Sequence, residues 1–267
     1  MTIRAPIDPG ADPTMDDDSH RLDDPEATAG LLDLLSPSDE ARALASGGEP
    51  PRAFIDRLAA EGLFPDAIKL LALAMTRRDA VWWACRCCRE SLADGEPPAA
   101  LLALEAAERW TADPTEERRR AAHAASEAAG LEAPAGCAAL GAFFSGGSIA
   151  PPHVPDVPPA PHLAGHVAAG SVMLCAVRTE PEKAPEKYRA FLALGIAVAD
   201  RVDPPPSSAV APASASPAPA RPASPSGRDV GWGGESNRVP APSPSPTPPS
   251  RSPSPAPPPT RRWDEWE

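Results

Sequence analysis

The chain has 267 residues, a formal net charge of −12, 39 prolines and only 4% aromatic residues. So acidic a balance excludes nucleic acid as a general partner, since duplex binding rests on Lys and Arg neutralising phosphates, and it argues against an anionic membrane surface. The prolines crowd into the last quarter, which removes that part from any core and leaves residues 23–202 as one domain of ordinary size.

Residues 1–22 are acidic and dotted with proline, the composition of a disordered arm. They lack the apolar run of a signal peptide. The nearest approach to a membrane span, 163–177, is short, contains His166, Gly165 and Gly170, and stops at Arg178. Five cysteines, three of them at 85, 87 and 88 on one predicted helix, point to reduced thiols and a cytoplasmic location.

Helix starts of one design then recur. Asp24-Pro25-Glu26, Ser36-Pro37-Ser38-Asp39 and Asp113-Pro114-Thr115-Glu116 each offer a capping oxygen before a proline at the first helical position, with carboxylates in the first turn where the helix dipole favours them. Periodicity and breakers predict helices over 25–35, 37–46, 51–61, 65–75, 77–93, 98–112, 114–129, 135–144, 162–178 and 184–201. The prolines of 150–161 make that stretch an extended connector laid over the surface. No segment alternates with a period of two, so the fold class is all-α: an irregular multi-helix bundle or a HEAT-like helical stack.

The centre of that domain is TRRDAVWWACRCCRESL, residues 76–92. As a helix it places Val81, Ala84, Cys85, Cys88 and Leu92 on one stripe, with Trp82 and Cys87 widening it. Arg86 and Glu90, with Trp83 beside them, are left for solvent. Thr76 and Asp79 form its capping pair.

From residue 203 onward the chain is a Pro/Ser/Ala tail, prone to extended polyproline geometry and too poor in apolar surface to fold. Trp232 interrupts it, and Arg261, Arg262, Trp263 and Trp266 stand at its tip. Tryptophan flanked by charge at the end of a long spacer has the make-up of a docking anchor for a protein partner.

Catalytic and metal chemistry find little support. Cys85 and Cys88 have knuckle spacing, yet a second knuckle is missing. His162 and His166 stand four apart without the glutamate of HExxH, and Ser145-Gly146-Gly147-Ser148 lacks the lysine of a phosphate loop. Arg86 and Arg89 would lower the pKa of a neighbouring thiol, but burial on this helix opposes a redox role. The chain is expected to be neither an enzyme nor a cofactor or metal carrier.

The runs RRDAVWWACRCCRESL, ALEAAERWTADPTEERRRAAHAASEAAG, AFFSGGSIAPPHVPDVPPAPHL and FLALGIAVADR resemble an uncharacterised bacterial all-helical domain family over residues 50–201. Members of that family are in places encoded near type VI secretion genes, which implies an accessory role there. The middle portion is also similar to putative helical immunity proteins. Neither resemblance brings catalytic residues; the matching positions Trp82, Trp83, Trp110, Pro114, Gly146, Gly147, Pro151 and Pro152 read as packing and turn positions. The expectation is an interaction adaptor: a helical binding domain with a tethered Trp-containing peptide. An immunity-type inhibitor that meets a basic toxin with its acidic helical face is the alternative, and an unrecognised metalloprotein or enzyme the third.

Overall fold

The computed structural model describes residues 21–151 and 153–206. Their regular structure is ten α-helices and one 3-10 turn at 181–183, with no strand among the described residues. The helices are α1 (Ala27–Leu35), α2 (Asp39–Leu44), α3 (Pro51–Ala60), α4 (Phe64–Ala74), α5 (Arg77–Glu90), α6 (Pro98–Ala112), α7 (Glu116–Ala129), α8 (Pro134–Phe143), α9 (Leu163–Val177) and α10 (Ala184–Ala199). Each lies where the spacing predicts.

The three proline-led starts differ in detail. α1 begins at Ala27, so Pro25 stands outside it, and its N-cap Glu26 makes no side-chain cap bond. The caps of α2 and α7 are Ser38 and Thr115, which come after the prolines, so Pro37 and Pro114 stand outside the helices. Both hydroxyls accept backbone N–H groups of the first turn, from Ala41 and Arg118. Buried Asp66 explains the choice at α2, because it accepts both the N–H and the hydroxyl of Ser38. Asp113, the expected cap of α7, instead pairs with Arg118 at 3.1 Å.

Helices α6, α7, α8 and α9 pack in succession, while α5 touches α4, α6, α8, α9 and α10. In a solenoid each unit meets only its neighbours along the array. Here α10, last in the chain, returns to cover α4 and α5. The architecture is therefore an irregular bundle with α5 at its centre.

The ends of the domain are fastened together. Arg52 on α3 reaches Asp23 at 2.8 Å and Asp200 at 2.6 Å, and its backbone N–H donates to the Leu22 carbonyl. Leu22 is buried, and the N–H of Arg21 donates to Ala74. The domain thus includes Arg21 and Leu22, which composition alone assigns to the acidic arm. No helix among the described residues is long and apolar enough to cross a membrane.

Candidate functional site

Trp83 is not at the surface. It is 0% exposed, and its indole N–H donates to the Phe191 carbonyl at 2.7 Å. The helix α10 comes so near that a Cβ on Gly195 would stand 2.7 Å from both the Trp83 ring and Leu71. This corrects the expectation that Trp83 faces solvent and contacts a partner. Residue spacing centres the apolar arc of α5 toward Trp82, but α10 packs on the Trp83 side, and the indole nearer the surface is that of Trp82.

Trp82 is half-buried against the start of the C-terminal segment. Its N–H donates to the Asp203 carbonyl at 3.0 Å, and Arg86 approaches both the Asp203 carboxylate, at 3.3 Å, and the face of Trp82. Just past the end of α10, Asp200 pairs with Arg52. Arg201 then turns through a positive φ and donates to buried Asp79 at 2.9 Å. Asp79 also accepts the hydroxyl of Thr76, whose oxygen caps the Asp79 N–H. Arg78 bridges onward, donating to the carbonyls of Thr111 at 2.7 Å and Pro206 at 3.2 Å. One side of α5 is thus a cradle of Arg78, Asp79, Trp82 and Arg86 that holds Arg201, Asp203 and Pro206. Composition starts the spacer at residue 203; the first four of its residues belong to the domain.

A second cluster fixes the glycine-rich turn. Arg119 on α7 is buried, forks onto Glu116, and donates to the carbonyls of Phe143 at 2.6 Å and Ser148 at 2.8 Å. Arg120 shares Glu116 and adds Ser148 and Ala150. Both guanidiniums lie over the Phe143 ring, whose stack is extended by His123. Gly147 adopts φ +60°, and a side chain there would meet the Arg119 guanidinium at 3.0 Å. The two guanidiniums hold the Glu116 carboxyl below its ordinary range. This is structural chemistry: it pins the start of the proline-rich connector to α7 and α8.

At its other end α5 borders an open cleft of 510 Å³. The cleft lies between Ser91 and Leu92, the turn at Thr179 and Glu180, and Lys187, Phe191 and Leu194 of α10. Leu92, expected on the buried stripe, is 39% exposed here. The helix stops at Glu90, where the Ser91 hydroxyl folds back onto the carbonyls of Cys87 and Cys88.

Beneath Ser91 lies a pair of thiols that residue spacing does not connect. Cys88 and Cys175 bring their sulfurs to 3.6 Å, and Ser171, one turn before Cys175 on α9, meets Cys88 at 3.4 Å. Arg86 and Arg89, the cations beside the cysteines in sequence, are engaged elsewhere, Arg86 by Asp203 at 3.3 Å and Arg89 by Glu108 at 2.6 Å. Burial accordingly pushes the Cys85 and Cys87 thiols well up. Cys175 is the exception: its hydrogen bond with Cys88 holds it below the ordinary thiol range despite burial. The spacing of Ser171 and Cys175 on one face of α9 is the only sequence signal for this pair, and it names no partner helix.

His162 and His166 meet edge to face, with the His166 Nδ1 at 2.9 Å from the His162 carbonyl. Among the described residues no three His, Cys, Asp or Glu side chains are grouped to hold a metal ion. The remaining candidates, Trp232, Arg261, Arg262, Trp263 and Trp266, lie outside the described residues.

These features define a small all-helical domain whose C-terminal continuation is strapped to its central helix. The chain belongs to a family of unknown function, DUF6931, whose model matches residues 54–199. That span runs from α3 to the last residue of α10 and takes in the buried Trp83 seat, the Arg119 cluster and the glycine-rich turn. No curated protein and no solved structure matches the chain.

Proposed function

We propose that the chain is a non-enzymatic adaptor of the bacterial cytoplasm, in which the helical domain binds one protein and the Trp-tipped tail presents a peptide to another. The observation that carries this reading is the cradle on α5. Arg201, Asp203 and Pro206 are each held by a side chain of that helix, so the proline-rich segment starts from a fixed point on the domain. A fixed root matters for a tether, because the effective concentration of a second contact depends on where the linker starts and how far it reaches. An anchor loose at its base would gain less. Tryptophan at the far end, flanked by Arg261 and Arg262, supplies the large amphipathic side chain that dominates protein–protein contacts. The resemblance to helical proteins encoded near type VI secretion genes makes that apparatus the first place to seek the partners.

The test is an affinity capture from the native host with the intact chain and with a Trp263→Ala/Trp266→Ala double variant. The adaptor reading expects one specific protein to disappear from the variant's set while another is retained. An identical set from both chains would move function onto the helical domain alone, where an inhibitor of a basic toxin is the reading to pursue.

A further inference from the structure

We propose that Cys88 and Cys175 are a disulfide-forming pair, oxidised by a hydroperoxide, and that the bond locks α5 to α9. The two sulfurs are 3.6 Å apart on different helices that already pack together. A disulfide requires about 2.05 Å, so the sulfurs need to close by roughly 1.5 Å, a movement of side-chain torsions rather than of helices. The other thiols lack this arrangement. Cys85 and Cys87 share one helix, where mutual pairing is geometrically poor, and Cys137 donates to the Leu131 carbonyl at 3.1 Å.

Both thiols are buried, Cys175 at 0% and Cys88 at 3% exposure, and neither lines the cleft, so the reaction requires the end of α5 at Ser91 to open locally. Ser91 lines the cleft and donates its hydroxyl to the carbonyls of Cys87 and Cys88. Through its contact with Cys88, and with Arg178 nearby, Cys175 is the thiol of the pair that favours its anion, while the same contact raises Cys88. With Cys175 as the attacking sulfur, Cys88 at 3.6 Å is placed to resolve it.

The chemistry balances with hydrogen peroxide as the oxidant. The Cys175 thiolate attacks one oxygen, the O–O bond breaks, and the departing hydroxide takes a proton from solvent to become water. Cys175 is left as a sulfenic acid. Cys88 then gives up its proton and attacks that sulfur; the S–O bond breaks, and the leaving hydroxide takes up the proton as a second water. The two sulfurs together lose two electrons, and the peroxide gains them.

The experiment treats the folded full-length chain with hydrogen peroxide, quenches it, and maps thiols and disulfides by peptide mass spectrometry. The expected product is a single intramolecular Cys88–Cys175 linkage, reversed by dithiothreitol, with a loss of two from the five free thiols. In Cys88→Ser, whose hydroxyl can still donate to the Cys175 sulfur but cannot resolve it, dimedone should trap a sulfenic acid on Cys175. The proposal is overturned if Cys137 oxidises while Cys88 and Cys175 stay reduced, if the linkage forms only in urea, or if the disulfides are intermolecular.

Discussion

Trp82 and Asp203 are 121 residues apart in the chain, yet the indole N–H of one donates to the carbonyl of the other at 3.0 Å. With Arg201 on Asp79, this contact makes the central helix the base of the C-terminal segment. The same helix buries the neighbouring indole, Trp83, in the core. Two adjacent tryptophans thus serve opposite ends: Trp83 fixes the fold, and Trp82 fixes the root of the tail.

Removing the cation from Asp79 should be costly. The Asp79 carboxylate is buried, and Arg201→Ala would leave it with its cap contacts but without that guanidinium. A loss of about 2 kcal/mol in urea unfolding is expected, in the range for a buried charge deprived of one charged hydrogen bond. Asp79→Asn, which keeps the shape and removes the charge, should cost less when combined with Arg201→Ala than the two single changes summed.

Gly195 is the position where α10 meets the Trp83 ring. Gly195→Val would drive carbon into space that lies 2.7 Å from Trp83 and Leu71, and should destabilise by about 1–3 kcal/mol as overpacking does. Trp83→Ala creates the opposite defect and should cost about 3–5 kcal/mol. Chemical denaturation followed by far-ultraviolet circular dichroism reads both. A neutral Trp83→Ala would contradict the close seat of that ring under α10.

Arg119→Lys should behave almost as badly as Arg119→Ala. The guanidinium serves Glu116, Phe143 and Ser148 at once, and a single ammonium cannot reproduce that planar fork. A loss of about 2–4 kcal/mol is expected for alanine, as for other changes that break a buried ionic network. Limited proteolysis should then open the connector at 150–161, because Ser148 loses a holder and the turn before the connector loosens.

The pH dependence of that cluster has a definite sign. Glu116 is held below its ordinary value of 4.5, chiefly by its hydrogen bond to Arg119. A carboxyl with a depressed folded pKa contributes stability above the unfolded value and loses it as pH falls through the folded one. Wild-type stability should therefore drop on acidification below about pH 4.5 more than that of Glu116→Gln. Because Glu116 is more than half exposed, the difference should be modest, at most about 1 kcal/mol.

Much of the fold is legible in the chain. Prolines, caps and glycine stops mark all ten helices, because those signals act within a turn or two of the backbone. Which oxygen caps is less legible: Ser38 prevails through Asp66, which is 28 residues away. The burial of Trp83 is hidden for a related reason. On a helix surrounded by five others, the choice of solvent-facing indole depends on where α10 returns, and Gly195 shows that only when it touches the ring. Spacing cannot join Cys175 to Cys88, since the pair exists only through α5–α9 packing.

Contact between the tail's terminal tryptophans and a partner is tested most directly by replacing Trp266 with a photo-crosslinking amino acid in the full-length chain, illuminating host cells, and identifying the adducts. The adaptor account predicts one dominant heterologous protein, lost when Trp263→Ala is added to the same chain. Illumination that yields no adduct at position 266, while the partners captured by the intact chain are unchanged in Trp263→Ala/Trp266→Ala, would contradict it.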